Sequence, residues 1–355
     1  MFARRLVTVI AAASALTVML VGCAGSAAPT STGAPTVSGP VAPLAELDVP
    51  TDPRSIAGPS TALLADAGIP VIDGDWSSTL PTTVVSRDLD GDRDVTVDVA
   101  DRVIGLDIAG SIAATIVGLG EGDRLVGRDV SSDYQGLTDL PIVTSNGHTV
   151  NSEAIIALRP DLVITDGTVG PVDVVQQLRD AGISVVFVDA DSSLAGAGEL
   201  AEQVGQALGM ADAGAALAAK LDAEISAKVA EIAAIVPAGE PLRVLFLYLR
   251  GGSGIYYLFG EGSGADDVIG ALGATDVAAE VGIVGNRPMT DEAMIAAAPE
   301  LIIVMTGGLE SMGGVDGLLD QLTAVALTPA GINRRIVDMA DAAVLSFGPR
   351  TPAVL

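Results

Sequence analysis

NSEAIIALRPDLVI at 151–164 and TDEAMIAAAPELII at 290–303 are two copies of one structural unit, and they decide the fold. Seven of the fourteen positions are identical, among them Glu153/Glu292, Pro160/Pro299 and Leu162/Leu301. Each copy opens on a residue that caps a helix well, Asn151 or Thr290. Each places a glutamate two residues further on, where the helix dipole favours negative charge. Each ends its helix at a proline, which cannot continue the hydrogen-bond ladder, and passes into an apolar run of strand length. A helix–proline–strand unit that recurs after 139 residues predicts two lobes of like architecture.

The surrounding chain fits that reading. Residues 102–106, 125–127, 162–165 and 184–188 read as strands, and 111–119, 152–158 and 172–181 as helices. Such βα alternation predicts a mostly parallel sheet covered on both faces. An Ala-rich stretch, 199–235, reads as a long helix interrupted near Gly209 and Gly214. The alternation resumes after Pro237 with 243–249, 265–272, 291–298, 301–305 and 336–338. The expected class is α/β: two Rossmann-like lobes joined by a long helix. Ahead of the first lobe, 83–85 and 95–97 flank Asp90-Gly91 in a hairpin pattern. Asp88, Asp90 and Asp92 have the spacing of a calcium loop, but Arg93 and Val99 stand where that loop needs Gly and Glu, which favours a plain turn.

The chain begins MFARRLVTVIAAASALTVMLVGC. A basic start followed by a short apolar run has the layout of a secretion signal. The run is shorter than the ~20 residues that comfortably span a bilayer. Leu20-Val21-Gly22-Cys23 matches a bacterial lipobox, so Cys23 is the expected lipid attachment point; Arg4-Arg5 points only weakly to the twin-arginine route. The expected organisation is a signal peptide at 1–22, a flexible Pro/Ser/Thr/Gly-rich tether at 23–60, a hairpin segment at 61–100, an N-lobe at 101–198, a connecting helix at 199–236 and a C-lobe at 237–355. The expected location is the outer face of the cytoplasmic membrane. Loss of 1–22 removes two arginines and no acid, taking the net charge from −27 to −29. Such a balance argues against nucleic acid as a partner. Cys23 is the only cysteine, so no disulfide, thiolate metal site or cysteine nucleophile is available.

Lipobox, tether, two βα lobes and a joining helix together resemble the lipoproteins with a helical backbone between lobes that carry cobalamin, siderophores or haem to ABC importers. The resemblance spans about 80–344 and is carried by VGLGEGDRLVG at 117–127, the two repeat units, and SFGPRTP at 346–352. Two local strings bring the chain nearest to the HmuT-type haem-binding proteins of actinobacteria. One is Ser145-Asn146-Gly147-His148-Thr149, which holds the only histidine; the other is Leu247-Tyr248-Leu249-Arg250-Gly251-Gly252, at the carboxyl end of a strand. Ligands of open α/β sheets collect at such ends.

The resemblance implies that ferric haem is captured between the lobes, with His148 and Tyr248 as axial ligands and Arg250 supporting the tyrosine. Nitrogen and phenolate oxygen are both common haem-iron ligands. Tyr248 and Arg250, two apart in a strand, share a face, and Gly251-Gly252 would let a flat macrocycle approach the backbone. It further implies that Glu153 and Glu292 dock on an ABC permease driven by a cytoplasmic ATPase, with surface relay proteins as upstream haem donors. Arg128, Arg287 and Arg350 are candidate propionate partners among which nothing in the sequence chooses. In the family SFGPRTP opens a closing helix on the C-lobe, whereas this sequence stops three residues after Pro352 and suggests a truncated helix.

Three other readings compete. A ferric-siderophore or cobalamin carrier of the same fold does not need both His148 and Tyr248. An exported Ser-His-Asp hydrolase would use His148 as base, but no G-x-S-x-G elbow is present. A bare transition-metal carrier is poorly served by one histidine and no free thiol. The expectation is a carrier, not an enzyme.

Overall fold

The computed structural model describes residues 41–355, apart from Asn146, Val172 and Ala190. Cys23, the signal segment and the first part of the expected tether lie outside the described residues. From Arg54 onward the chain is held on the body of the protein. Arg54 pairs with Glu300 at 2.7 Å, and the guanidinium of Arg335 donates to the carbonyls of Ile56 and Arg54. A short strand, β1 (Ser60–Ala62), then joins the sheet of the second lobe. Residues 54–60, the end of the expected tether, thus pack on the second lobe.

The hairpin is present as β2 (Thr82–Ser86) and β3 (Arg93–Val97), antiparallel, with Val84 opposite Val95. Its three aspartates are engaged by arginines. Buried Asp88 receives Arg179 at 2.6 Å and Arg93 at 3.0 Å, Asp90 pairs with Arg93, and Asp92 with Arg87. The Arg179 pair ties the turn to the N-lobe, and the others hold the turn together.

The N-lobe contains β4 (Val103–Leu106), α1 (Ser111–Gly118), β5 (Thr144–Ser145), β6 (Thr149–Val150), α2 (Ser152–Leu158), β7 (Leu162–Thr165), α3 (Asp173–Asp180) and β8 (Ser184–Phe187). Strands β4, β7 and β8 form a fully parallel sheet in that order. Every residue of β4 and β7 is buried, as the unbroken apolar runs require. The expected strand at 125–127 is reduced to a single bridge, Leu125 to Val103.

Helices α4 (Gly196–Ala207) and α5 (Ala211–Ile235) cross between the lobes in sequence. Gly209, at φ +70°, makes the turn between them. Gly214, expected as a second interruption, lies inside α5. A Cβ on Gly205 would come within 2.6 Å of the Gly214 Cα, so the pair allows the two helix backbones to touch.

The C-lobe comprises β9 (Arg243–Arg250), β10 (Ile255–Phe259), α6 (Ala265–Ala271), β11 (Thr275–Asp276), α7 (Val277–Glu280), β12 (Asn286–Pro288), α8 (Asp291–Ala297), β13 (Leu301–Met305), α9 (Thr306–Ser311), α10 (Gly314–Gln321), α11 (Thr323–Ala326), α12 (Pro329–Asn333), β14 (Ile336–Met339), α13 (Asp341–Val344) and α14 (Thr351–Val354). Its sheet runs β1-β14-β13-β9-β10-β12, with β11 beside β9. The half containing β14 and β13 is parallel, but β10 and β12 add antiparallel to the edge. The expected purely alternating pattern thus gives way to a hairpin after β9. The SFGPRTP segment bridges the lobes: Phe347 packs beside Gly264 of the C-lobe, and Val354 of the helix that follows packs on the C-lobe core. It also reaches the N-lobe: Ser346 Oγ lies 2.7 Å from the Tyr134 hydroxyl, Pro349 packs against Gly118, and α14 packs on α5. Among the described residues no helix is long and apolar enough to cross a membrane.

Candidate functional site

His148 sits in the turn joining β5 and β6, whose two-residue strands pair Ser145 with Thr149. It precedes the Asn151 cap of α2, so the repeat unit fixes where the turn stands: the Asn151 side chain accepts from the Ala154 N–H at 3.1 Å. The imidazole is half-buried, and among the described residues its Nδ1 is buried without a hydrogen-bond partner. Burial first, and the positive charge of Arg250 second, hold its pKa below the ordinary histidine value. The ring is therefore neutral at pH 7 and keeps a lone pair for a metal or proton donor.

Tyr248 and Arg250 stand at the carboxyl end of β9, on the same face of the sheet. The tyrosine ring is half-buried and stacks on Phe259, centroids 6.1 Å apart and planes 19° apart. Among the described residues its hydroxyl has no hydrogen-bond partner, and Arg250 is exposed and in no ion pair. The guanidinium crosses to the other lobe: its Nη2 lies 3.1 Å from where a Cβ on Gly147 would be. The backbone there, at φ +89°, favours glycine, and a Cβ would press on the guanidinium by a few tenths of an ångström. The structure therefore brings the lone histidine's loop and the Tyr248–Arg250 strand to one end of the cleft. In this state Arg250 is not hydrogen-bonded to Tyr248.

The two glycines that follow differ in role. Gly251 is packed: its N–H donates to Ser311 Oγ at 2.9 Å, and a Cβ would meet Met312 and the Ser311 carbonyl at 2.6 Å. Gly252 faces open space. Only the second leaves a free approach to the backbone.

All three candidate propionate partners are poorly placed, two by burial and one by the face it occupies. Arg128 is buried, with bonds to the carbonyls of Asp129 and Thr138 and a contact to Asp133. Arg350 is buried with its guanidinium 5.2 Å over the Tyr134 ring. Arg287, on edge strand β12, lies opposite Leu258 and hence on the sheet face away from Tyr248. Glu153 and Glu292 are exposed, one on each lobe, in the first turns of α2 and α8.

A separate recess lies at the carboxyl ends of the N-lobe strands, lined by Asp107, Asp166, Asp189 and Asp191. Burial, then the charges of Asp129 and Asp166, push the Asp107 carboxyl well above its usual range. It accepts N–H bonds from Ser111 and Ile112, which start α1, so its visible work is capping that helix. Among the described residues no group of three His, Cys, Asp or Glu could hold a bare metal ion.

The model of the periplasmic binding protein family matches residues 108–343, spanning both lobes and the helices between them. The chain belongs to the periplasmic binding protein family. A solved structure of heme binding protein HmuT superposes with a TM-score of 0.79 at 37% identity, covering 85% of this chain and 96% of that one. The heme-binding protein RhuT from Roseiflexus sp. RS-1 gives 0.66 at 37% identity, covering 72% and 95%. Among curated proteins, a cobalamin-binding protein of Halobacterium salinarum is 31% identical over 202 residues, 54% of this chain. The chain spans only about half, 51%, of that relative's length. An uncharacterized ABC transporter substrate-binding lipoprotein of Bacillus subtilis, YvrC, is 26% identical over 70% of this chain and 78% of its own. The fold class read from the sequence, and the family it resembles, are thus those of the protein. As a periplasmic binding protein it presents the usual open α/β arrangement, with candidate groups at strand ends.

Proposed function

We propose that this periplasmic binding protein captures haem in the cleft between its lobes and passes it to an ABC permease. The observation that carries the reading is the meeting of the N-lobe turn holding His148 with the β9 end holding Tyr248 and Arg250. A neutral imidazole and an unpartnered phenol fit the two axial positions of ferric haem. Arg250, free of carboxylates, is placed to stabilise a phenolate or a propionate once the ligand separates it from Gly147. The solved HmuT structures include variants with one arginine, one histidine and one tyrosine each replaced by alanine. In them the tyrosine and arginine are two positions apart and follow the histidine by about a hundred, which is the spacing of His148, Tyr248 and Arg250.

In the same reading Cys23 carries the lipid anchor, Glu153 and Glu292 dock on the permease, and upstream surface proteins supply the haem. The B. subtilis relative's description as a lipoprotein supports the anchor. The exposed, repeat-related placement of the two glutamates supports docking.

The test is an absorbance titration with hemin. The wild type should give a Soret band that survives buffer exchange, and His148→Ala and Tyr248→Phe should each change that spectrum. Unchanged hemin spectra with the wild type would reject the reading. The likeness to the H. salinarum protein favours cobalamin as the alternative cargo. Retention of cyanocobalamin, with no retention of hemin, would establish it.

A further inference from the structure

Half of the chain's ten aromatic residues fall within fourteen positions: Phe246, Tyr248, Tyr256, Tyr257 and Phe259. The strand register sorts them. Tyr257 is directly opposite Tyr248 across β9 and β10, Ile255 is opposite Arg250, and Pro288 of β12 is opposite Tyr257. Directly opposed residues of antiparallel strands point to the same face. Tyr248, Ile255, Tyr257 and Pro288 therefore form one continuous surface. Its inner end is anchored, since Phe246 and Phe259 pack at 5.2 Å and Tyr248 stacks on Phe259.

Exposure rises outward along this face. Phe246 is buried, Tyr248, Tyr257 and Ile255 are half-buried, and Pro288 is exposed. The opposite face of the same strands carries Leu247, Leu249 and Leu258, all fully buried. So one face is closed by the core, while the other is packed only at its inner end and leaves an apolar, half-exposed platform further out. A binding surface is marked by such an apolar platform with few convergent polar groups. Along these two strands the only charged side chain on this face is Arg250, at the platform's end.

We infer that Tyr257, Ile255 and Pro288 form a bed for the plane of a tetrapyrrole that works without the iron, so that the protein also binds metal-free planar porphyrins. This rests on the haem reading and deepens it: axial ligation by His148 and Tyr248 selects the metal, while the bed selects a flat ring with a peripheral carboxylate for Arg250. A corrin with bulky groups on both faces, or a compact charged iron chelate, finds no matching surface there.

The probe is metal-free protoporphyrin IX, titrated by fluorescence against the wild type, Tyr257→Ser, Tyr257→Phe and Pro288→Ser, with hemin titrations in parallel. The wild type should bind protoporphyrin IX. Tyr257→Ser should weaken both porphyrins by about threefold to tenfold, the scale of one aromatic contact. Its hemin spectrum should keep the wild-type band positions, because the axial ligands are intact, and Tyr257→Phe should behave as wild type. Pro288→Ser, at an exposed edge position, should weaken both by a smaller factor. Hemin binding without protoporphyrin binding in the wild type overturns the bed and leaves the haem reading standing. Wild-type affinities in both Tyr257→Ser and Pro288→Ser overturn it too. Failure of the wild type to bind either porphyrin overturns both.

Discussion

The two lobes start from the same fourteen-residue unit and end with different chemistry. In each, the helix ends on a non-glycine residue in the left-handed region, Arg159 at φ 49° and Ala298 at φ 44°. In each, an arginine at the start of a neighbouring strand closes that end. Arg102 donates to the carbonyls of Leu158 and Arg159, and Arg243 to that of Ala297. The acid after the proline completes both copies: Asp161 accepts from the Arg102 backbone N–H at 3.0 Å, and Glu300 from that of Arg243 at 3.0 Å. Orphan helix carbonyls are satisfied alike on both sides. The differences lie just ahead of the unit. Three residues before the cap stands His148 in the N-lobe, in a hairpin turn, and Arg287 in the C-lobe, on an added edge strand. The repeat supplies scaffold, and the segments it does not govern hold the proposed site residues.

That division can be broken most sharply at the site. His148→Ala and Tyr248→Phe should each lower hemin affinity by about a hundredfold or more, while Arg250→Ala, which acts through its neighbours, should cost about 10–100-fold. All three should keep the wild-type melting temperature, since none of these side chains makes a hydrogen bond or ion pair among the described residues. Equal loss of stability and affinity would erase the distinction between scaffold and site.

Next in size is the helix crossing. Gly214→Val would drive a side chain into the Ala201 carbonyl, 2.8 Å from the position of a Cβ, and should cost about 1–3 kcal/mol in denaturant unfolding. The scaffold arginines come third. Arg102→Ala and Arg243→Ala should each destabilise by about 1 kcal/mol through lost carbonyl bonds, with hemin spectra unchanged. Similar effects in the two lobes would sharpen the equivalence, and a change in one lobe alone would break it.

The smallest effect is on pH dependence. His148 has a folded-state pKa below its unfolded value, so the unfolded chain takes up the proton first on acidification. Its contribution to stability is complete above about pH 6.5 and falls as the pH drops towards the folded pKa. Hemin binding should weaken over the same range, because a protonated imidazole has no lone pair to offer. His148→Ala should flatten that profile, and Arg250→Ala should shift it to higher pH by removing a repelling charge.

What could be read from the residues follows the same line. Asn151, Thr290 and the prolines act on their own backbone, so the repeated helix–strand units were legible, and together with the strings at 117–127 and 346–352 they carried the family resemblance. The edge strands were not. Ser60-Thr61-Ala62 becomes a strand only because β14 offers it a partner, and Asn286-Arg287-Pro288 only because β10 does. Ile255-Tyr256-Tyr257-Leu258-Phe259 did carry a signal, an aromatic and branched run after a glycine-rich turn. Arg128 and Arg350 looked available because burial by distant segments leaves no mark on local sequence. His148, Tyr248 and Arg250 stood out by rarity and position, but only the fold shows Arg250 reaching Gly147 across the lobes.

The central claim is that each lobe contributes one ligand to the same iron. Resonance Raman spectra of the hemin complex, excited in the phenolate-to-iron charge-transfer band, test it directly. Tyrosinate vibrations should be present in the wild type, persist in His148→Ala with shifted haem modes, and vanish in Tyr248→Phe. Identical spectra for all three proteins would contradict the account.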